Sequence, residues 1–427
     1  MIGVHSPKFP TEHTSRGLRG AVGRLEIAHP VVNDAEMAVW DAYGVRAWPT
    51  LMFVDPRGYV VGKHEGEASA DELADVVAGL IERYRQQGVL TPGPIPGLAP
   101  LKPPSGPLAF PGKVLADAAG DRLFVADSGH QRLVVSALDG ANPWVIGSGE
   151  PGLADGPAAE ARFHQPEGMA LDGDTLYVAD RANHAIRRVD LAARQVTTVA
   201  GTGRLGQGFT HPGPARDVDL RSPWDVALHA GVLYIAMAGL HQLWALDLAA
   251  GQLRRYAGTG HEGIKDGDLG RCWLAQPSGL DRSGTRLYFA DSETSSIRTA
   301  DLPPGDQVRT LVGTGLFDFG DVDGAGRGAL LQHPLGVAAG EGVGVVYLTD
   351  TYNSKIKTID LASGEVRSWL GSGEAGLTDG VGAAARFDEP GGLSLAGRRL
   401  YIADTNNHAI RVAEIDTGVV TTLRFAL

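Results

Sequence analysis

A short apolar segment recurs six times along the last three quarters of the chain. Large apolar residues alternate with smaller ones in each copy, which is typical of a β-strand, and five of the six copies end in aspartate. The copies are LFVAD (123–127), LYVAD (176–180), LYIAM (233–237), LYFAD (287–291), VYLTD (346–350) and LYIAD (400–404). Their last residues lie 53, 57, 54, 59 and 54 positions apart. A period this long, carried by short strands, predicts repeated β-sheets packed around an axis.

The second copy shows what one repeat contains. Four apolar strands are joined by tight turns, and four such strands make one blade of a β-propeller. The strands are QPEGMALDG (165–173), TLYVAD (175–180), AIRRVDL (185–191) and QVTTVAGTG (195–203), with the polar turn RANH (181–184) after the second. The same order recurs, so we predict a mainly β fold with six blades in 108–427, the first packed against the sixth. The third blade departs from the pattern, because Met237 stands where the others have aspartate.

The segments VAD, NHAIRRVD and VTTVAGTG resemble the NHL repeat, and the resemblance covers the whole of 108–427. It implies a ring that serves mainly as a recognition surface for proteins or RNA. A few relatives of such rings are metal-dependent lyases that use histidines on the central axis. Glycine-rich connections such as 147–166 and 371–390 join the blades, and exposed loops of this kind commonly carry binding residues.

Residues 1–88 carry a mixture of helical and strand patterns instead of the repeat. Strands are predicted at 2–6 and in a hairpin at 50–55 and 59–66, and helices at 14–28, 36–43 and 71–88. The last helix is amphipathic, and its apolar face carries Leu73, Val76, Val77, Leu80, Ile81 and Tyr84. Seven prolines lie between positions 91 and 107, so we predict that 89–107 is a stiff linker between two domains.

The pair Trp48-Pro49 precedes Thr50 and an apolar strand. A proline ahead of a strand, followed by a hairpin and a final helix, resembles the cis-proline loop of thioredoxin-like folds. Together with the repeats, this segment resembles the NHL repeat-containing protein 2 family over essentially the whole chain. The resemblance implies that Trp48, Pro49 and Thr50 receive a substrate beside a pair of redox cysteines.

The sequence lacks the cysteine pair that this resemblance implies. No C-x-x-C occurs, and the single cysteine, Cys272, lies in the repeats, where we expect a small buried hydrophobe. We therefore expect 1–88 to be a partial thioredoxin-like domain that lacks its cysteine-bearing first strand and helix and does not fold alone. Either the natural chain, a bacterial relative of the family, begins further upstream, or the domain is degenerate and serves binding or packing.

Charge and composition narrow the range of partners. The formal net charge is −12 and the sequence pI is about 5.5, without a basic run, which disfavours nucleic acid. No stretch approaches the length of a membrane span, and the N-terminus does not resemble a signal peptide. A single cysteine forbids an internal disulfide. We predict a cytoplasmic monomer without a cofactor that binds a protein or peptide partner.

Two sets of polar residues recur with the repeat. We interpret His130, His184, His241 and His408 as occupying matching places in the turn after the second strand, with Ser295 and Ser354 in the other two blades. Hydrogen bonds that cap the blades are the expected role. The repeated aspartates are expected to accept hydrogen bonds from turn amides; they are Asp127, Asp180, Asp291, Asp350 and Asp404.

A third set of polar residues differs from blade to blade. They lie around the proline that begins each inner strand, so we expect them to rim one mouth of a central channel. They are Arg162, His164, Glu167, Arg221, Trp224, Asp225, Trp273, Gln276, His333, Arg386, Asp388 and Glu389. Arginine, aromatic and acidic side chains together suit a peptide or a small polar ligand. The alternative is a solvated rim without a ligand.

Two histidines of this set suggest a metal site. His164 and His333 lie three blades apart, so they could face each other across the ring. With a nearby acid they could hold a metal ion; the candidate acids are Asp225, Asp388 and Glu389.

These patterns leave three functional hypotheses. The leading one is a binding or scaffold protein, not an enzyme, whose propeller mouth recognises a partner or a small ligand. The second is a thiol–disulfide oxidoreductase whose catalytic cysteines lie in an upstream segment. The third is a metal-dependent propeller hydrolase or lyase. No catalytic residue is predicted within this sequence.

Overall fold

In the computed structural model of the protein, the chain forms two compact units, Met1–Lys102 and Pro103–Leu427. The structure describes residues 1–66, 68, 70–93, 101, 104–207, 210–340, 342 and 344–427. The division between the units falls within the predicted linker 89–107, part of which lies outside the described residues.

The first unit mixes short strands and helices. In chain order they are β1 (Gly3–His5), a 3-10 turn (Pro10–His13), α1 (Ser15–Arg24), β2 (Val31–Asn33), α2 (Ala38–Ala42), β3 (Thr50–Val54), β4 (Val60–Glu65) and α3 (Ala70–Gln86). β1 pairs in parallel with β2, and β3 pairs in antiparallel with β4, as two separate sheets in the described part of the unit. Every predicted element is present, whereas β2 was missed because three residues are too few to show a period.

The predicted cis-proline loop joins α2 to β3. The Trp48–Pro49 peptide bond is cis, and Trp48 Nε1 donates to the backbone carbonyl of Ser6 at 2.9 Å. The Trp48 ring also packs on Trp40, with ring centroids 4.5 Å apart. Half of the Trp48 side chain remains exposed, so the loop presents an aromatic surface.

The predicted apolar face of α3 is largely exposed. Tyr84 is buried, but Val76, Val77 and Ile81 expose 47%, 43% and 40% of their surface. Exposed apolar area of this size gives the unit little hydrophobic stabilisation. That 1–88 does not fold alone stays a prediction.

The second unit contains six sheets arranged as blades, and the first three run from Lys113 to Ala257. Blade one contains β5 (Lys113–Asp117), β6 (Arg122–Asp127), β7 (Arg132–Ser136) and β8 (Trp144–Ile146). Blade two contains β9 (Gly156–Pro157), β10 (Pro166–Asp172), β11 (Thr175–Asp180), β12 (Ala185–Asp190) and β13 (Gln195–Ala200). Blade three contains β14 (Gly213–Pro214), β15 (Pro223–His229), β16 (Val232–Met237), β17 (Gln242–Asp247) and β18 (Gln252–Ala257).

The last three blades repeat the same order. Blade four contains β19 (Gly267–Asp268), β20 (Pro277–Ser283), β21 (Arg286–Asp291), β22 (Ser296–Asp301) and β23 (Gln307–Val312). Blade five contains β24 (Gly324–Ala325), β25 (Gly336–Ala339), β26 (Val345–Asp350), β27 (Lys355–Asp360) and β28 (Glu365–Leu370). Blade six contains β29 (Gly380–Val381), β30 (Pro390–Ala396), β31 (Arg399–Asp404), β32 (Ala409–Glu414) and β33 (Val419–Leu423).

Short 3-10 turns complete the blades. One follows the second of the four long strands in every blade: Ser128–His130, Arg181–Asn183, Ala238–Leu240, Ser292–Thr294, Thr351–Asn353 and Thr405–Asn407. Three more lie in the connections between blades, at Ala215–Asp217, Gly326–Gly328 and Gly382–Ala384. Five blades also gain a two-residue strand, which pairs with the outermost strand and comes from the preceding connection. The sequence analysis did not predict this fifth strand, because two residues carry no periodic signal.

The inner strands β5, β10, β15, β20, β25 and β30 surround the axis, and β30 contacts β5. Ring closure, as predicted, therefore joins blade six to blade one. Phe110 N donates to His408 Nδ1 at 3.1 Å, and Thr405 Oγ1 donates to Pro111 O at 2.9 Å. Leu123 and Tyr401 share the apolar core of this junction. The second strands are apolar at successive positions because neighbouring blades cover both of their faces.

One end of the ring carries all of the variable polar residues. The register places the start of β10 beside the end of β11, and the start of β12 beside the end of β13. The interblade connections and the 3-10 turns therefore lie at the end of the channel where the inner strands begin. We call this end the mouth.

Candidate functional site

In four of the six blades, the aspartate that ends the second strand is held by a buried basic residue. In blade two, Arg187 Nη1 donates to Asp180 Oδ2 at 2.8 Å, and both side chains are fully buried. Arg187 also donates to Asp155 and to the backbone carbonyls of Ala154 and Arg162, in the connection between blades one and two. Burial raises the pKa of Asp180, and the Arg187 charge opposes that change. The pair therefore anchors a connection and is not a ligand site.

The same pairing recurs in three further blades, always seven residues apart in the sequence. The pairs are Asp291–Arg298, Asp350–Lys357 and Asp404–Arg411, at 2.9, 3.2 and 2.8 Å. Each aspartate also accepts a backbone N–H from the connection that leads into the inner strand, such as His164 N with Asp180 at 2.8 Å. The aspartates thus accept from backbone amides, but these amides lie in the connection and not in the turn that was predicted. The buried basic partner was missed, although the D-x6-R/K spacing carries the signal.

Blade three replaces the ion pair by an apolar pair. Met237 and Trp244 occupy the two positions and are both buried, and Trp244 Nε1 donates to Gln242 Oε1 at 2.9 Å. An aspartate beside Trp244, or an arginine beside Met237, would be a buried charge without its partner, which is strongly unfavourable. The two replacements are therefore compatible only as a pair.

The residue that follows the 3-10 turn connects neighbouring blades. This residue is left-handed in all six blades, with φ between 47° and 55°. In blades two, three, four and six, its side chain accepts the backbone N–H of the residue that precedes the next blade's proline. The bonds are Ser222 N to His184 Nδ1 (3.2 Å), Gln276 N to His241 Nδ1 (3.2 Å), Phe110 N to His408 Nδ1 (3.1 Å) and His333 N to Ser295 Oγ (3.2 Å). The expected hydrogen-bonding role of these histidines is confirmed, and the bonds run between blades.

The assignment of His130 to this set was wrong. The left-handed residue of blade one is Gln131 (φ 55°), whose Oε1 accepts from Gln165 N at 2.6 Å. His130 lies one residue earlier, and its Nδ1 is 2.9 Å from Asp127 Oδ2. The matching residue lies four positions after the end of the second strand, whereas His130 lies three positions after Asp127.

A second interblade hydrogen bond is made at four of the six junctions. The residue directly after the second strand donates its hydroxyl to the carbonyl of the next blade's proline. The bonds are Ser128 to Pro166 (2.6 Å), Ser292 to Pro334 (2.7 Å), Thr351 to Pro390 (2.8 Å) and Thr405 to Pro111 (2.9 Å). Arg181 and Ala238 occupy the same place in blades two and three and have no hydroxyl to donate. The junctions of blade three with blade two and with blade four therefore lack this hydroxyl bond.

The part of the channel just inside the mouth, which we call the throat, also departs from the repeat at blade three. The second residue after the proline is glycine in four inner strands, because the neighbouring blade leaves no room: a Cβ at Gly168 would lie 1.9 Å from Asp225 Oδ1. The exceptions are Lys113 in blade one and Asp225 in blade three, whose Nζ and Oδ2 atoms are 3.3 Å apart. Lys113 Nζ also donates to Leu335 O of blade five at 2.6 Å. This side chain joins three alternate blades across the channel.

A cavity of about 210 Å³ continues along the inner strands beyond Lys113. Its walls are mainly apolar side chains, with Asp225, Asp281 and Arg282 as further charged groups. Asp281 Oδ2 accepts from Ala339 N of the next blade at 2.7 Å. Burial raises the pKa of Asp281 to about 6, and the negative charge of Asp225 adds to this effect. Sequence reasoning missed Lys113, Asp281 and Arg282; the departure of Lys113 and Asp225 from glycine was the available signal.

The mouth between blades two and three places two of the predicted rim residues, Glu167 and Trp224, beside Arg181. Arg181 Nε lies 3.6 Å from Glu167 Oε1, and its guanidinium lies over the Trp224 ring, 5.1 Å from the centroid. Asp225, the residue after Trp224, descends into the throat. Glu167, Trp224 and Asp225 were predicted for the rim, whereas Arg181 was predicted only as part of a polar turn.

Across the ring, the mouth at blades four to six has a different character. His333 stacks on Tyr352 with ring centroids 4.6 Å apart, and its Nδ1 is 3.8 Å from Glu293 Oε1. Asp388 and Glu389, from the start of blade six, are buried. This side of the mouth is therefore acidic and aromatic.

The metal site predicted from His164 and His333 finds no supporting geometry. Across residues 1–66, 68, 70–93, 101, 104–207, 210–340, 342 and 344–427, no group of three or more His, Cys, Asp or Glu side chains is placed to hold an ion. His333 stacks on Tyr352 of blade five and donates its backbone N–H to Ser295 of blade four, and the His164 backbone donates to Asp180.

Three predicted rim residues do not line the channel. Arg162, Trp273 and Arg386 lie four residues before the proline, and their backbone carbonyls accept from the buried arginines of the third strands. They therefore lie over the third strand, away from the axis. Trp273 stacks on His261 at 5.5 Å, and Arg386 pairs with Glu374 at 2.6 Å.

The remaining predicted residues lie apart from this mouth or are inaccessible. Trp48, Pro49 and Thr50 belong to the first unit, where Thr50 Oγ1 donates to Ala47 O at 2.7 Å. Cys272 is fully buried, and burial raises the pKa of its thiol. A buried thiol of this kind is a poor nucleophile, in line with the expected packing role.

Comparison with known proteins agrees with this architecture. Residues 163–188 match the NHL repeat family; they include Asp180 and Arg187. Human NHL repeat-containing protein 2 is 39% identical over 458 aligned residues, which cover 99% of this chain and 63% of the relative. The chain belongs to the NHL-repeat propeller proteins. The resemblance found in the sequence is confirmed.

Other matches of this NHL-repeat protein differ in extent. The protein SUPPRESSOR OF QUENCHING 1, chloroplastic, of Arabidopsis thaliana is 41% identical over 437 residues, covering 98% of this chain and 41% of the relative. The chain thus spans about three fifths, or less, of the length of these relatives. The crystal structure of a nidogen/laminin complex matches with a TM-score of 0.48 at 14% identity, covering 71% of this chain and 98% of that chain. No helix of the described segments is long and apolar enough to cross a membrane.

Proposed function

We propose that this NHL-repeat protein binds a partner protein through the propeller mouth, with Glu167, Arg181 and Trp224 at the contact site. The proposal rests on one observation: residues that depart from the repeat meet at the junction between blades two and three. Structural positions in a repeat protein keep the residue that the interface requires, and functional sites are where such rules are broken. Arg181 gives up a hydroxyl bond that four junctions make, and Trp224 lies directly beneath it.

The chemistry of these residues supports recognition. Tryptophan, tyrosine and arginine are enriched among the residues that contribute most of the binding energy at protein interfaces. Arg181 is held over Trp224 and beside Glu167 before any partner arrives. A pre-positioned side chain loses less conformational entropy on binding.

Exposed apolar side chains extend this surface. Most of the large apolar residues that the described part of the propeller exposes lie in connections on the mouth side. They are Leu153, Leu205, Trp273, Phe317, Val322 and Leu377. Exposed apolar side chains at one end of a fold can mark an interaction surface.

Affinity purification on the immobilised full chain tests this proposal. Trp224→Ala removes the aromatic platform, and Arg181→Ser removes the guanidinium while supplying the hydroxyl that four other junctions have. Arg367→Ser, on the outer strand of blade five with 68% of its side chain exposed, is the matched control. We expect a partner retained by the wild type and the control, and weakened about tenfold or more by both mouth variants. Partners that bind all four proteins equally would overturn the proposal.

The two alternative functions rest on other grounds. Metal-dependent hydrolysis or elimination gains no support from the described residues, which contain no candidate metal site. Thiol–disulfide exchange requires cysteines that this sequence does not contain, since Cys272 is buried. The hypothesis that an upstream segment of this protein carries the catalytic cysteines stays a prediction, and so does its cytoplasmic location.

A further inference from the structure

We propose that the channel cavity beyond Lys113 binds a small organic ammonium ion, and that the carboxylate of Asp281 receives its positive charge. This site is separate from the surface formed by Glu167, Arg181 and Trp224, so the inference goes beyond the proposed function and does not depend on it.

The cavity is closed on the side of the mouth. Lys113 Nζ lies 3.3 Å from Asp225 Oδ2 and donates to Leu335 O at 2.6 Å, so this side chain crosses the channel from blade one to blades three and five. The backbones around it are tightly packed, since a Cβ at Gly279 would lie 2.6 Å from Leu335 O. The throat therefore forms the floor of the cavity.

One apolar side chain from each of the six inner strands forms the wall. All six are buried, and they are Val114, Met169, Val226, Leu280, Val337 and Leu393. Two positions further along their strands, Leu171, Leu228 and Arg282 also line the cavity but are partly exposed. The cavity therefore opens at the end of the ring opposite the mouth.

The size of the cavity limits the ligand to a small molecule. Its volume is about 210 Å³. An apolar cavity of about 150 Å³ accepts benzene, so this one has room for an aromatic ring with a short arm. The apolar wall suits the ring, and the arm would carry the charge.

Asp281 lines the cavity and has acceptor capacity left for a ligand. Its Oδ1 accepts from Arg282 N and its Oδ2 from Ala339 N, both at 2.7 Å. Both donors are neutral backbone groups, so neither cancels the charge of the carboxylate. An ionised carboxylate can accept about four hydrogen bonds, which leaves sites for an ammonium group.

The charges that face Asp281 favour a cation over an anion. Burial raises the pKa of Asp281 to about 6, and the Asp225 charge raises it more than the Arg282 charge lowers it. Lys113 is engaged by Asp225, and Arg282 donates to Gly284 O at 3.2 Å. A bound ammonium would offset the cost of ionising Asp281, whereas a bound carboxylate would increase it.

Calorimetric titration of the full chain with benzylammonium at about pH 7 tests the inference. Benzyl alcohol and benzoate carry the same ring with no charge and with a negative charge. Asp281→Asn removes the charge of the cavity and keeps an oxygen that can accept from Ala339 N. Asp247→Asn is the matched control, because Asp247 also accepts two backbone N–H bonds, from Ala249 and Ala250, but is exposed. Thermal melting verifies that each variant is folded.

We expect the wild type and Asp247→Asn to bind one benzylammonium per chain, and Asp281→Asn to bind it about tenfold or more weakly. Benzyl alcohol and benzoate should bind the wild type more weakly than benzylammonium does. The affinity of the wild type for benzylammonium should fall about tenfold from about pH 7 to about pH 5, because protonation removes the charge of Asp281. This pH dependence requires no variant, and it should be absent in Asp281→Asn.

Four outcomes would overturn the inference. They are the absence of saturable binding at millimolar benzylammonium, equal binding of benzyl alcohol, tighter binding of benzoate, and an affinity that neither Asp281→Asn nor the pH changes. Trp224→Ala should bind benzylammonium as the wild type does, so that failure at the cavity and failure at the mouth are measured separately.

Discussion

Lys113 of blade one reaches Asp225 of blade three across the channel, with Nζ and Oδ2 3.3 Å apart. Both side chains are buried, and the same ammonium donates to Leu335 O of blade five. Four inner strands have glycine at this position, so a single pair of exceptions fills the throat. The pair separates the mouth from the cavity that lies beyond it.

Removing Lys113 should destabilise the propeller strongly. Lys113→Met leaves the Asp225 carboxylate buried without its partner, and breaking such a pair costs about 3–5 kcal/mol. The double variant Lys113→Gly/Asp225→Gly installs the residue that the other four blades carry and should recover part of that loss. Urea unfolding of the three proteins measures both effects. A Lys113→Met protein as stable as the wild type would show that the contact contributes nothing.

The apolar pair of blade three predicts a strong coupling between two sites. Met237→Asp alone buries a carboxylate beside Trp244 and should cost about 3 kcal/mol or more. Adding Trp244→Arg supplies the partner found seven residues on in blades two, four and six. We expect a favourable coupling of about 1–3 kcal/mol in the double-mutant cycle, measured by chemical denaturation. Strictly additive losses would mean that the connection before blade three cannot receive the arginine.

One missing interblade bond can be supplied by substitution. Ala238 occupies the place where four other blades donate a hydroxyl to the next proline carbonyl, and the surrounding 3-10 turn is the same. Ala238→Ser should therefore donate to Pro277 O and raise the free energy of unfolding by about 0.5–1.5 kcal/mol. Ala238→Val is the matched control, with a larger side chain and no hydroxyl. A lower melting temperature for the serine variant would contradict the prediction.

Asp281 predicts a stability that falls as the pH rises. Its pKa of about 6 lies above the value of about 3.9 for an unfolded aspartate, so the folded state holds the proton more tightly. The resulting stabilisation is complete below about pH 4 and is lost as the pH rises through about 6. The free energy of unfolding of the wild type minus that of Asp281→Asn should therefore fall, on the order of 2 kcal/mol, between about pH 4 and pH 7.

Asp281→Asn is a suitable control because its amide oxygen can still accept the Ala339 N–H. Denaturant titrations of both proteins at several pH values give the difference directly. A difference that stays constant, or rises with pH, would show that Asp281 does not titrate in this window.

Local patterns predicted the elements that hydrogen bonds within one blade define. The run TLYVAD, the polar turn after it and the glycines that close QVTTVAGTG each depend on neighbours within about 30 residues, so their number and order could be predicted. The same holds for His184, His241 and His408, whose spacing from the second strand marks a common turn. The prediction was wrong only for His130, which lies one residue before the left-handed position of its blade.

Local patterns did not predict correctly which residues line the rim of the channel. Arg162, Trp273 and Arg386 looked like channel residues because they are near a proline in sequence. The buried arginines of the third strands instead hold their backbones away from the axis. Arg181 was overlooked because its place is structural in four other blades, and its importance appears only when the six copies are compared position by position.

The sequence by itself determined six blades and the four long strands of each, because periodic apolar burial and tight turns are local properties. Only the tertiary structure decided that Lys113 meets Asp225, that Arg181 lies over Trp224, and that left-handed residues such as His184 bond the next blade. These contacts join residues 34 to 298 positions apart, and their geometry depends on how many blades close the ring and how wide the channel is. No local pattern carries that information.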